Sequence, residues 1–375
     1  MLTRECGYEA VAKLRTSAGI RIASGGFYGR GYRKSVGAEE LYFANIDADI
    51  EFAVALEHDG TSLKVGESVY VQLATLYTRR DGRRVIRVHN LALKVIDHLP
   101  TIFRHASIGA LMSFLTKRAA ASIAVKPLRE IRGQIFEDVV TLLHMYRKNV
   151  ATRSKLGQLI LPESLKLSAI YVNAFFKSDV VGVNTKNGVS RVRADARAAI
   201  TLRVLSLSSA ALLGWLYPRL VVISPLQDGA GETEAGKTAV TLPLPTWCSS
   251  EKLELDGVYL LHDGERIMMH FGEQVSREVA TMLLGSNAST MYTDPKSTSL
   301  IPQGNPYSAR VMAIVGRLQE LWEFYGRTCP VYIMNGKLTS EFNLRLVEDK
   351  TYRTDSSYID FLVALHKKIQ TRMKK

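Results

Sequence analysis

The eight residues that open at Gly231 and close at Thr238, GETEAGKT, fit the GxxxxGK[ST] spacing of a phosphate-binding loop. In such a loop backbone amides and a lysine cradle phosphates while the last hydroxyl meets a metal ion. That chemistry requires a following helix whose amino terminus faces the phosphates. Here the following run, 239–246, is rich in β-branched residues and contains Pro243 and Pro245, and Glu232 and Glu234 would put negative charge inside an anion cradle. A nucleotide-binding protein built on these eight residues is therefore only an alternative reading. Hydrolase chemistry has less support, because no GxSxG elbow, HExxH zinc pair or DFG-like triplet occurs and the eight histidines are scattered. His89 has the right side chain for acid-base work, but its place in an extended run predicts a hydrogen-bonded packing role. Cys6, Cys248 and Cys329 lie far apart and form no CxxC pair, which predicts a reducing compartment and no zinc site from cysteines alone. The expectation is a chain with no catalytic, cofactor-binding or metal-binding residues.

Binding chemistry is more visible. Arg79, Arg80, Arg83 and Arg84 crowd an Asp81-Gly82 turn, and Arg87 follows on the next extended run. Such cations can meet phosphate head groups at about 1 kcal/mol each, so four of them bind weakly and durable attachment needs many copies in a lattice. A charged hairpin tip kept for solubility fits the same residues. Nucleic acid fits less well, since the hairpin lacks interleaved aromatic residues for base stacking and no known nucleic-acid motif occurs.

Composition sets the frame for these groups. A chain of 375 residues with 46% hydrophobic and 23% charged residues is long and apolar enough for two or three globular domains. The net charge of +13 is concentrated in residues 99–220, with 18 Lys/Arg against 6 Asp/Glu. That excess points to an acidic partner, anionic lipid or nucleic acid, or equally to a solvated helical face. No charged amino-terminal segment leads into an apolar run as a secretory signal would. The most hydrophobic stretch, 204–217, falls short of the ~20 apolar residues of a membrane span and predicts a buried helix end running into a core strand.

The elements follow from periodicity. Residues 1–98 read as strands, with Val69, Val71 and Leu73 alternating with polar neighbours ahead of the Asp81-Gly82 hairpin turn. Gly25, Gly26, Gly29 and Gly31 mark a loop or bulge. After Pro100 the period becomes helical: Leu128, Ile131, Ile135, Val139, Leu142 and Tyr146 share a face behind Pro127 as first helical residue. A second helical start lies at Pro162, with Leu165, Ala169, Val172 and Phe176, and a third helix spans 190–205. Residues 220–224 are a strand, 227–238 a linker or long loop, and 256–271 a hairpin turning at Asp263-Gly264. A helix from Ser276 stopped by Gly285, another over 307–325, a strand at 330–334 and a capped final helix from Ser357 with Leu362, Leu365 and Ile369 on one face complete the chain. The expected architecture is multidomain α+β: a partial antiparallel β-sandwich over 1–98, an all-α helical domain over 99–216, a strand and variable linker over 217–246, and an α/β module over 247–375.

The blocks VIRVHNLAL (85–93), GQLILPESLKL (157–167), KSD (177–179), YPRL (217–220) and SYIDFLVALHKKI (357–369) come in the order found in the cargo-adaptor subunit of the inner COPII vesicle coat, and the chain resembles that family along nearly its whole length. The resemblance implies a gelsolin-like carboxy-terminal module and a protein that catalyses no reaction, bends membrane and selects cargo for transport from endoplasmic reticulum to Golgi. It implies as partners the GTPase-activating sister coat subunit in a heterodimer, a Sar-family small GTPase indirectly, cytosolic export signals of cargo, and the anionic endoplasmic reticulum membrane, with no nucleic acid. The implied location is the cytoplasm, peripherally on the cytosolic face of exit sites and COPII vesicles. In the family a zinc finger and an α/β trunk precede these parts. GYEAVAKLRTSAGIRI (7–22) resembles the re-entry into the sandwich after the trunk, so zinc and most cargo pockets are expected in an amino-terminal half outside this sequence, this chain being a fragment or a short paralogue. LVEDK (346–350) favours the adaptor over its sister subunit, which would make the chain an accessory to GTP hydrolysis. A gelsolin-type actin module is the third reading, and it leaves the helical third and the basic hairpin unexplained.

Overall fold

The computed structural model describes residues 5–34, 39–47, 50–152, 157–183, 192–233, 239–285, 288, 300, 302–323, 329–334, 340–350 and 356–374. The chain divides into two compact units, 1–212 with 360–375, and 213–359. It is α+β throughout.

In the first unit, strands β1 (Cys6–Thr16), β3 (Glu40–Asp47), β5 (Ser68–Thr78) and β6 (Arg84–Lys94) form an antiparallel sheet in the order β3-β1-β5-β6. Strands β2 (Ile20–Tyr28) and β4 (Ala53–His58) make a two-stranded antiparallel sheet. Between the sheets lies a small core of Ala10, Ala12, Leu14, Phe27, Leu41 and Phe43. The expected irregularity at the glycines is a register break in β2 between Ile22 and Phe27; a side chain at Gly26 would meet the Ala23 and Ala55 carbonyl oxygens at 2.7 and 2.9 Å.

The helices of this unit are α1 (Leu99–His105), α2 (Ile108–Ser122), α3 (Leu128–Asn149), α4 (Ser168–Lys177) and α5 (Ala194–Ser206). Pro127 stands one residue before α3, as its cap. The buried seam of α3 is Leu128, Ile131, Ile135, Val139 and Leu143, so Leu142, expected on that face, yields to its neighbour. Helix α4 buries the expected Ala169, Val172 and Phe176 but starts at Ser168, after a short turn at Glu163–Leu165 that follows Pro162, and Arg132 of α3 lies 4.5 Å over Phe176 and donates to the Phe176 and Val181 carbonyls at 2.5 and 3.2 Å. The apolar run 204–217 is not one helix end: α5 stops at Ser206, and α6 (Ser209–Leu216) starts after a two-residue corner.

The second unit centres on a five-stranded sheet ordered β11-β10-β9-β7-β8, comprising β7 (Arg219–Ser224), β8 (Pro245–Thr246), β9 (Val258–His262), β10 (Ile267–Phe271) and β11 (Val331–Met334). Only the β10–β11 pair is parallel. Helices α7 (Arg277–Leu284) and α8 (Pro306–Glu323) contribute Leu283, Leu284, Val311, Ile314 and Leu318 to its core, and a short helix α9 (Ser340–Asn343) places Phe342 in full burial. Ser276 caps α7 through its side chain and Gly285 ends it at φ +69°.

The final helix α10 (Tyr358–Met373) differs from expectation in two respects. Its buried seam is Phe361, Leu365 and Ile369, not Leu362. From Asp360 onward it groups with the first unit and not with the α/β module: Phe361 meets Phe136 and Phe176 edge-on at 5.7 and 6.0 Å, and Glu137 accepts from Lys368 at 2.9 Å and also pairs with Arg372.

Candidate functional site

The β5–β6 hairpin carries the five arginines. Asp81 Oδ1 accepts the Arg83 amide at 3.1 Å and Gly82 sits at φ +81°, a conformation a side chain would strain, so the Asp-Gly pair closes a tight turn with Arg79 N donating to Arg83 O at 2.8 Å. The five side chains do not act as one group. Arg79 and Arg83 lie at 3.8 Å from Asp81, a long and exposed pairing. Arg84 turns back, donating to Thr78 Oγ1 at 2.8 Å and to the Glu9 carbonyl at 3.3 Å, where the bulge in β1 holds Glu9 at φ +48°. Arg79, Arg80 and Arg87 share an open concavity of about 1450 Å³ with His89, with apolar residues that include Ile46 and Leu73, and with the carboxylates of Glu5, Asp47 and Asp81. Among the described residues Arg87 has no ion-pair partner. His89 is exposed on this edge strand, not packed as expected.

Strand β6 is the edge of its sheet and is exposed on both faces, with Ile86 67%, Val88 48% and Leu91 54% accessible. Arg80 and Arg87, which have no ion-pair partner among the described residues, stand beside these accessible apolar side chains, chemistry that suits an anionic partner with apolar character.

The other chemical candidates resolve differently. Of the phosphate-loop pattern, 234–238 lie outside the described residues. Their flanks pair as an antiparallel hairpin: Thr241 N donates to Glu232 O, Gly231 N to Thr241 O, and Thr233 bridges Val240. Residues 239–246 hold no helix, so the helix N-terminus that a phosphate cradle requires is missing from the place it must occupy, and Arg310 takes Glu232 at 3.4 Å. Cys248 and Cys329 are buried; burial pushes the Cys329 thiol up to about 12, and Cys248 donates to the Pro218 carbonyl at 3.0 Å. Among the described residues no three His, Cys, Asp or Glu side chains are grouped to hold a metal, and no helix is long and apolar enough to cross a membrane.

The LVEDK block has a structural role in the second unit. Glu348 accepts the Tyr217 hydroxyl proton, and Asp349 accepts Ser249 Oγ and Ser250 N, both at 2.7 Å, tying 248–250 to the entry of β7. In the turn between β9 and β10, buried Asp263 faces Arg345 at 3.2 Å and Arg266 at 3.6 Å.

Comparison with known proteins gives a consistent result. Residues 7–96 match the Sec23/Sec24 beta-sandwich domain and residues 108–213 the Sec23/Sec24 helical domain. Human protein transport protein Sec24C is 31% identical over 365 residues, 97% of this chain and 31% of that protein. Arabidopsis thaliana protein transport protein SEC24 B is 32% identical over 374 residues, 99% of this chain and 32% of that protein. The crystal structure of the human COPII-coat protein Sec24c superposes with a TM-score of 0.85 at 27% identity, covering 99% of this chain and 47% of that chain. The chain spans about a third of the length of these curated relatives.

Proposed function

We propose, from the premise that this chain belongs to the Sec24 family of COPII coat proteins, that it supplies the sandwich, helical and carboxy-terminal parts of a cargo adaptor carrying proteins from endoplasmic reticulum to Golgi. It catalyses no reaction in this reading; its work is done by surfaces. The observation that carries it is the likeness over 97% of the chain in sequence, and 99% in fold, to human Sec24C. Its partners are then the GTPase-activating sister subunit, a Sar-type small GTPase reached through that subunit, and the cytosolic export signals of cargo. Its place is the cytosolic face of the endoplasmic reticulum as a peripheral protein. The concavity bearing Arg79, Arg80 and Arg87 is the surface we assign to the anionic membrane, with Arg83 beside it and Arg84 bracing the turn. A weak cationic patch suffices when a polymerising lattice presents many copies.

The experiment is affinity purification of the tagged protein from its own cells after mild cross-linking. Co-recovery of the other inner-coat subunits is expected; their absence from a soluble, folded bait would remove the coat assignment. The phosphate-loop alternative is set aside on the hairpin geometry at 231–233 and 239–241.

A further inference from the structure

The corner between α5 and α6 is held by two charged side chains from distant parts of the sequence. Lys117, fully buried on α2, donates from Nζ to the carbonyl oxygens of Val204 at 3.0 Å and Leu207 at 2.6 Å, where α5 ends. Glu51, just ahead of β4, accepts the amide of Ser209 at 2.7 Å, where α6 begins, and Ser113 Oγ of α2 at 2.5 Å. Its own amide donates to the Ser206 carbonyl at 3.2 Å. The ammonium thus meets the negative end of one helix and the carboxylate the positive end of the next. Terminal carbonyls of α5 that have no intrahelical donor are satisfied by side chain and backbone from elsewhere.

Little else in α5 is anchored by burial. Of its thirteen residues only Val204 and Ser206 are buried, both in the last turn, and Leu202 is 57% exposed. A helix whose first turns are mostly exposed, whose half-buried residues Ile200, Thr201, Arg203 and Leu205 lie in its second half, and whose end is tied by polar contacts is a candidate for opening as a local unit. Burial disfavours the charge on Lys117 and pushes its ammonium down to about 8, while the Glu51 carboxylate opposes that shift. The Glu51 carboxylate thus favours the buried ammonium, and loss of either member leaves the other facing uncompensated groups.

We propose that Lys117 and Glu51 form a latch: together they fasten the α5–α6 corner to α2 and to the sandwich segment at 50–52, and α5 swings free of α2 as a unit when the latch is broken. The device lies within one compact unit and is independent of the coat assignment.

The test is amide hydrogen exchange read by mass spectrometry on the 375-residue chain, comparing wild type with Lys117→Met, Glu51→Gln and the double variant at one pH. Amides of α5 and the first turn of α6 should exchange at least tenfold faster in each single variant, with α3 and β5 unchanged. The double variant should fall short of the product of the two single effects, because both remove the same latch. Unchanged α5 exchange in folded Lys117→Met protein, or acceleration spread evenly through the unit, overturns the proposal. Should Lys117→Met fail to fold, Glu51→Gln, which keeps the shape and the acceptor oxygen, decides by the same two criteria.

Discussion

Arg80 and Arg87 stand in the concavity with no ion pair among the described residues and Arg79 with only a long one to Asp81, whereas Arg84 is held by Thr78 and Glu9, so charge reversal should separate the two groups. Arg79, Arg80 and Arg87 all changed to Glu should lower binding to phosphatidylserine-containing vesicles at least tenfold in flotation, and raised salt should do the same to wild type, since each cation contributes about 1 kcal/mol and is screened. Arg84→Ala should leave flotation nearly intact and loosen the hairpin instead. The histidines of the second unit carry a different liability. Burial pushes His262 and His270 down to about 4, with Asp263 partly opposing and Arg219 adding to the shift at His262. Between that value and the unfolded one near 6.5 the unfolded chain takes up protons that the folded chain refuses, so stability is full above 6.5 and falls as pH drops toward 4. The loss is on the order of 2 to 3 kcal/mol per histidine. Urea midpoints of the second unit's transition should decline from pH 7 to pH 4.5, and His270→Leu, whose ring site lies 4.9 Å from Phe342, should flatten that decline.

At the scale of elements, α10 tests which contacts hold a helix to a unit that begins far away in sequence. Phe361→Ala removes a buried ring from between Phe136 and Phe176 and should cost about 3 to 5 kcal/mol, releasing the carboxy terminus to proteolysis. Arg372→Ala breaks a partly buried pair with Glu137 and a hydrogen bond to Thr141 Oγ1, leaves Lys368 on Glu137, and should cost about 1 kcal/mol in the same assay. The β5–β6 hairpin was legible because turn chemistry and alternation lie within one short window, Asp81 and Gly82 between two extended runs. Of the seam of α10, Leu365 and Ile369 were legible and Phe361 was not, nor was the surface it packs on, because periodicity marks a face and not its partner. The corner at 207–208 does carry a local signal, since Ser206, Ser208 and Ser209 interrupt the apolar run 204–217 and Ser208 Oγ accepts the Ala211 amide at 3.3 Å, whereas Glu51, which also holds the corner, comes from the sandwich. At Gly231 the phosphate-loop spacing, already disfavoured by Pro243, Pro245 and the two glutamates, meets hairpin pairing; its φ of +81° and the Arg310 backbone 2.5 Å from any added side chain account for that glycine.

At the scale of the whole molecule, what the proposed adaptor has to work with is two units with separate cores and an arginine-bearing concavity at a sheet edge. Family membership was readable from word-like blocks spread from 85 to 369, because they fix turns, caps and buried ties such as Glu348 to Tyr217 that composition cannot reveal. How the five arginines divide was not readable, since it depends on the bulge at Glu9 and on which face of β6 each side chain takes. The measurement that bears most directly on the central claim is replacement of the matching third of human Sec24C by this chain, followed by reconstituted recruitment to membranes with the small GTPase and the sister subunit. The account predicts a chimera that pairs with the sister subunit, is recruited, and packages cargo. A chimera that folds, pairs through its human trunk and yet neither reaches the membrane nor supports budding would contradict it.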